Sequence, residues 1–436
     1  MDRVLRIHCN VQRAPSWCLQ PVVFALGFAI VVARRPDAIS NPQFWAEDGK
    51  FWYADAYNTG GIGIFLQPYY GYLHLVPRLT ALVAQALPLR LGPLLFNLVA
   101  IVIEILPVQL LVSSRLSGLG SVSARLWLGF LCLSLPHTAN IHSNITNAQW
   151  HLALLAFLVL ISGPARTRGW RAFDVLAVVS SSLSGPFAFM LAPAGALLLW
   201  KRGGRQLLQL SSIIAVGALV QGTTYLYWAH SGHVHRTPEP LGATPALLAK
   251  LLADQLFLGA LLGGNALCHT SVLGAVLVAT AGMAAIAYAL FKGPFELKLF
   301  VGFAAVVLGA SLMSPYTMAK IPAWQALEVP QIGLRYWFLP MLAFVWTLAW
   351  LVSRENPKGV RSVAAIILCL MAFGIVRDWR DPALVDLHFD EYTKRFEASP
   401  PGTVFTIPCN PPDGLWSMRL VKRHDALLSP PKCRSR

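Results

Sequence analysis

Phe44-Trp45-Ala46-Glu47-Asp48-Gly49-Lys50-Phe51 places two adjacent acids in an aromatic loop, directly after the first apolar run of the chain, residues 19–33. A second polar and aromatic stretch follows, Pro68-Tyr69-Tyr70-Gly71-Tyr72-Leu73-His74-Leu75-Val76-Pro77-Arg78. Such concentrated polarity is out of keeping with the rest of the sequence. Of 436 residues, 56% are hydrophobic and 13% charged, with a mean hydropathy of +0.55. Soluble domains carry roughly 25% charged residues. The composition therefore predicts an all-α polytopic membrane protein.

Outward from the acidic loop, the apolar runs predict about nine transmembrane helices plus a broken half-helix pair. The first run follows Arg3, Arg6 and Arg13 and reads as a retained helix with a cytoplasmic N-terminus. Residues 35–92 form the first exported loop, ending in an amphipathic interfacial helix over 73–87. Residues 93–112 span, and Glu104 within them is costly in lipid and should face the bundle. Arg115 and Arg125 mark an inner turn. Residues 173–200 are interrupted at Ser184-Gly185-Pro186, which fits two half-helices dipping in and returning. Residues 245–264 hold Lys250 and Asp254 and read as interfacial. Residues 1–376 thus form the membrane domain. Residues 377–436 form a small exported appendage with one strand, Val404-Phe405-Thr406-Ile407.

The formal charge of +15 lies in short clusters between apolar runs. That distribution is a topology signal and a contact for anionic lipids, and it excludes nucleic acid as the expected partner. Seven cysteines form no Cys-x-x-Cys pair, which argues against a structural zinc site built on them. Cys409 and Cys433 can pair if the tail is exported. No Walker, Rossmann or Gly-x-Ser-x-Gly motif is present.

Asp48 is the leading catalytic candidate, with Glu47 as its alternative. A carboxylate at a low-dielectric surface has a raised pKa and serves as a general base. His74 and Arg78 are four apart and would share a helix face beside Tyr70, able to hold a phosphate and stack a sugar ring. Asn140, Asn144, Asn147 and His151 recur at helical spacing and predict a polar stripe facing a cavity. Asn144-Ile145-Thr146 also matches a glycosylation sequon. Arg335 and Tyr336 open a late span, and the planar guanidinium suits a lipid phosphate. His230, His233 and His235 read as a flexible loop rather than a metal site.

These motifs resemble the GT-C superfamily of polytopic glycosyltransferases, which use polyprenyl-phosphate sugar donors. The resemblance rests on Glu47-Asp48 in the first exported loop. It also rests on Leu183-Ser184-Gly185-Pro186-Phe187, which is similar to the Lys-Gly-Pro stretch of the aminoarabinose and mannosyl transferase branch. The acids here are adjacent rather than spaced as Asp-x-Asp, and Ser184 stands where that branch often has Lys. The resemblance implies inverting sugar transfer to a lipid or glycan acceptor at the exported face, with Glu47 or Asp48 as base and Arg335 or Arg78 on the phosphate. A divalent cation, Mg²⁺ or Mn²⁺, would fall on Asp48 or Glu47. The implied setting is a bacterial inner (plasma) membrane, in cell-envelope polysaccharide chemistry. A transporter or flippase of lipid-linked sugars is the alternative, and it predicts repeat symmetry between the halves of the chain. A polysaccharide polymerase or ligase would place its working loop late.

Overall fold

A computed structural model describes residues 16–232, 239–264, 270–317, 319–329 and 331–423. Arg3, Arg6, Arg13, His233, His235 and Cys433 lie outside these residues. Among the described residues, six helices are long and apolar enough to cross a membrane. They are Leu89–Val112, Arg205–His230, Pro245–Leu262, Val272–Lys292, Phe295–Met313 and Lys358–Arg377. Leu19–Arg34, Val122–Leu133, Ala148–Ile161 and Phe338–Leu351 are shorter and equally apolar.

Ala148–Ile161 and Phe338–Leu351 are buried almost all round and form the middle of the bundle. A helix without a polar face belongs there, because no side of it gains from water. The outer helices keep large apolar side chains exposed, such as Trp200, Phe291 and Phe373. That surface suits lipid rather than water.

Basic residues at the helix ends do more than mark topology. Arg125 donates to the carbonyls of Leu111 at 3.0 Å and Val112 at 2.9 Å. Arg34 donates to Leu133 O at 2.8 Å and Leu135 O at 3.0 Å, and pairs with Asp381 at 3.5 Å. Both guanidiniums satisfy carbonyls that a helix C-terminus leaves unpaired. Arg115 is gripped by Asp174 at 2.6 and 2.8 Å.

The interruption at residues 183–186 is a turn between the helices Arg168–Ser182 and Phe187–Arg202. Its free backbone groups are taken up by the first loop. Leu75 N donates to Leu183 O and Gly185 N to Leu73 O, both at 2.9 Å. Gly185 has φ +83° with the Gln149 side chain packed against it, so only glycine fits.

Pro245–Leu262 has the length to cross, although its charges suggest an interfacial helix. It packs on the helices Val272–Lys292 and Lys358–Arg377, and its flanks are tied to loop segments. Pro240 O and Leu241 O accept from Ala323 and Trp324, Lys250 pairs with Glu328 at 3.4 Å, and Gly264 N donates to Asp378 at 2.7 Å.

The segment after residue 377 packs on the first loop. It contains a helix, Phe389–Ala398, and two antiparallel strands, β1 (Val404–Pro408) and β2 (Ser417–Val421), where the sequence suggests one strand. The β2 signal is hidden because Ser417–Val421 alternates polar and apolar over only five residues. Asn58 Nδ2 donates to Arg419 O at 2.8 Å and Lys50 Nζ to Leu415 O at 2.9 Å. Cys409 is buried against Gly49.

Candidate active site

The acidic loop, the aromatic stretch, the late loop and the tail enclose a cavity of about 1030 Å³. Its walls include Trp45, Glu47, Tyr69, Tyr70, Tyr316 and Arg335. Binding clefts commonly hold ~300–1,000 Å³. This one has room for a sugar and the head of its carrier.

The loop reaches this shape through a constrained backbone. Ala46 has φ +28°, a conformation an L-residue seldom takes. It is held there by the tail: Ala46 N donates to Asn410 O at 2.5 Å, and Asn410 N to Phe44 O at 3.0 Å. Beyond Ala46 the chain enters a π-helical turn, Asp48–Tyr53. Consecutive residues on a helix point about 100° apart. The two acids therefore part company.

Glu47 lines the cavity; Asp48 does not. Asp48 is 2% exposed and accepts from Thr146 Oγ1 at 2.6 Å, and Thr146 Oγ1 in turn accepts from Trp52 Nε1 at 2.7 Å. Burial pushes the Asp48 carboxyl up to about 8, against the opposing pull of the Thr146 hydroxyl. The leading catalytic candidate is thus packed behind the wall, and its neighbour faces the cavity. Tyr69 Oη lies 3.4 Å from Glu47 Oε1 as its donor. Burial raises the Glu47 carboxyl, while the charges of Arg335 and Lys50 act to lower it.

Arg335 lines the same cavity. Its Nη2 donates to Tyr316 O at 3.3 Å and Tyr336 Oη at 3.2 Å. Among the described residues no carboxylate lies within ion-pair distance of it. Tyr70 and Tyr316 hydrogen-bond through their hydroxyls and link the first loop to the late loop. Tyr70 also has a left-handed backbone, φ +49°.

Of the other predicted residues, Tyr70, His74, Asn147 and Tyr336 line the cavity; Arg78, Asn144 and His151 do not. Arg78 is 2% exposed, pairs with Asp55 at 2.9 Å and lies over Trp52. It is committed to the protein rather than open to a phosphate. His74 stands at the N-terminal boundary of the helix that carries Arg78, and its ring packs on Trp52, the ring Arg78 also covers, and on Tyr69. Burial, with Arg78 nearby, lowers its pKa to about 4, so it is neutral and offers no charge to an anion.

The polar stripe is not helical. Residues 137–147 form turns, and the helix begins at Ala148. Asn, Ser, Thr and His crowd this stretch, and such side chains bond nearby backbone in place of helix. Asn147 N donates to Asn144 Oδ1 at 3.1 Å and Asn147 Nδ2 to Asn140 O at 2.7 Å. Asn144 is 3% exposed, which removes the sequon as a glycan acceptor in the folded chain. Thr146, Gln149, Tyr316 and Trp416 line the cavity without having been singled out.

Glu47 and Asp48 do not fit a shared metal ion. They face different surroundings, and among the described residues no third His, Cys, Asp or Glu joins them.

No protein-family model matches the chain, and no curated protein matches it. The chain is similar in structure to the Archaeoglobus fulgidus oligosaccharyltransferase. Against the form tethered with an acceptor peptide containing the NVT sequon via a disulfide bond, the TM-score is 0.42 at 14% identity. That match covers 88% of this chain and 58% of the other. Against the apo form the TM-score is 0.44 at 13% identity, covering 88% and 59%. This chain thus spans less than two thirds of the length of those structures. The neighbours are oligosaccharyltransferases. A likeness of this extent assigns no activity to this chain, whose function is read from its own cavity.

Proposed function

We propose that the chain is a membrane glycosyltransferase of the GT-C type, moving a sugar from a polyprenyl-phosphate donor to a hydroxyl acceptor with Glu47 as the general base. The observation that supports this best is the pairing of Glu47 and Arg335 in one aromatic-lined cavity. A base must reach the proton it removes, and of the two acids only Glu47 lines the space where an acceptor would sit.

Glu47 takes the proton of the acceptor hydroxyl as that oxygen attacks the anomeric carbon. The bond from that carbon to the phosphate oxygen breaks from the opposite face, so the configuration inverts. The departing phosphate gathers negative charge, and Arg335 is the cation that meets it. Its guanidinium is held in place by Tyr316 and Tyr336 without being neutralised. Tyr69, Tyr70 and Trp45 offer flat faces for a sugar ring. Met190, Ala310 and Met313 form an apolar side of the cavity where the polyprenyl chain would lie. The sugar-bearing side is taken as exported.

The test is transfer from a panel of polyprenyl-phosphate sugars in liposomes, with wild type, Glu47→Gln and Asp48→Asn at matched folded yield. Abolished turnover in Glu47→Gln with donor binding retained supports the reading. Equal turnover in Glu47→Gln and wild type would sink it.

A further inference from the structure

Glu104 sits within the helix Gly92–Val112 and is fully buried. Its Oε2 lies 3.1 Å from His142 Nδ1, and Oε1 accepts from the Ser143 amide. His151, in the first turn of Ala148–Ile161, is equally buried; the Ile141 backbone lies near its ring, and neither ring nitrogen makes a well-formed hydrogen bond. One ligand atom from each of Glu104, His142 and His151 lies within 4.8 Å of the others. None of the three lines the cavity of the candidate active site.

The hydrogen bonds around His142 fix its tautomer. Thr138 gives its hydroxyl proton to Leu135 O at 2.6 Å, so it can only accept from His142 Nε2 at 3.0 Å. Nε2 therefore carries the proton of neutral His142, and Nδ1 turns a lone pair on a Glu104 oxygen. Two lone pairs face each other unless a proton or a cation lies between them. The nearby guanidiniums are already matched, Arg34 by Asp381 at 3.5 Å and Arg35 by Asp37 at 3.9 Å. A proton between them, on Glu104 or on His142, would settle that pair but leave the buried His151 ring without a well-formed hydrogen bond, a costly loss. One cation answers all three residues.

We propose that Glu104, His142 and His151 bind a divalent transition-metal ion of the zinc type, which pins residues 137–147 to the helix Gly92–Val112. Two imidazoles and a carboxylate suit such an ion, and the Nε2–Thr138 bond is the outer contact that orients a histidine ligand. Ligand atoms around a tetrahedral ion at ~2.1 Å stand roughly 3.4 Å apart; Glu104 and His142 are already near that spacing at 3.1 Å, and His151 has at most about 1–1.5 Å to close. The ion is structural. It fixes the segment that supplies Asn140, Thr146 and Asn147 to the cavity wall.

The experiment uses the full chain purified in detergent without chelator. Metal content is read by mass spectrometry, and Co²⁺ uptake after stripping is read by its d–d absorption. About one equivalent of metal and a tetrahedral Co²⁺ spectrum are expected, with a lower melting temperature once a chelator is added. His151→Gln and Glu104→Gln should each retain less than a tenth of the metal; His230→Gln, at an exposed ring, should retain all of it. His151→Cys should still bind Co²⁺ and add a thiolate charge-transfer band. Wild type that takes up neither Zn²⁺ nor Co²⁺ overturns the proposal. So does metal lost in Glu47→Gln but kept in His151→Gln, which would move the ion to the cavity. None of these readouts depends on sugar transfer.

Discussion

Asp48 and Thr146 are joined by a 2.6 Å hydrogen bond that ties the first loop to the segment preceding Ala148. Trp52 extends the chain by donating to the same hydroxyl at 2.7 Å. Thr146→Val leaves a buried acid and an indole N–H unpaired, at roughly 1–3 kcal/mol each. Thermal unfolding in detergent should show a clear drop in midpoint, larger than that of Thr223→Val, whose hydroxyl is exposed.

Asp48 also predicts a pH dependence. Burial raises its carboxyl from 3.8 to about 8. The folded chain keeps a proton that the unfolded chain releases between those values. The stabilisation from Asp48 is therefore complete below about pH 4 and is lost as the pH rises to about 8. Melting curves from pH 5 to 9 should fall with pH in wild type and flatten in Asp48→Asn. Parallel curves for the two proteins would contradict the assignment.

Glu47→Gln should lower turnover by about 10²–10⁴-fold while leaving donor affinity within a few-fold. Burial raises the Glu47 carboxyl, and only the ionised form acts as base. Wild-type turnover should therefore rise with pH along an acid limb displaced above the ordinary carboxylate range. Asp48→Asn should keep that limb. A limb absent from wild type would remove Glu47 from the chemistry.

Arg335→Gln should weaken binding of polyprenyl phosphate by about 10–100-fold, the worth of a hydrogen bond to a charged group. Arg335→Lys should recover only part of this, because an ammonium cannot make the planar two-point contact. Titration with polyprenyl phosphate, with the uncharged polyprenol as control, separates head from tail. Equal loss for both ligands would assign Arg335 to packing.

Gly185→Ala forces a side chain into a left-handed position already filled by Gln149. The turn anchored by Leu73 and Leu75 should loosen. Folded yield should fall more than in Gly203→Ala, where φ is also positive but nothing stands within 4 Å.

Apolar runs reveal most of the helices because lipid-facing composition needs no partner to be read. The break at Ser184-Gly185-Pro186 was legible for the same reason: glycine followed by proline ends a helix in any setting. The division of labour between Glu47 and Asp48 was not. It turns on a π-helical turn and on Asn410, whose grip on Ala46 comes from the far end of the chain. The stripe from Asn140 to His151 misled because helical spacing says nothing of whether side chains will bond their own backbone. Glu104 was read as facing the bundle, and it does. Its partners could not be read, since His142 approaches from a turn rather than from a helix at a fixed register.

The grip of Asn410 on the acidic loop has a consequence for biogenesis. Ala46, which presents Glu47, is held by a residue translated some ten helices later. A ribosome still within the membrane helices has made both acids but not the wall that orients one of them. The loop that presents Glu47 therefore lacks its final backbone support through most of insertion. The cavity wall is complete only once residues 382–416 have docked against the first loop. A chain whose tail failed to reach that loop would keep its packed helices yet leave the cavity unfinished.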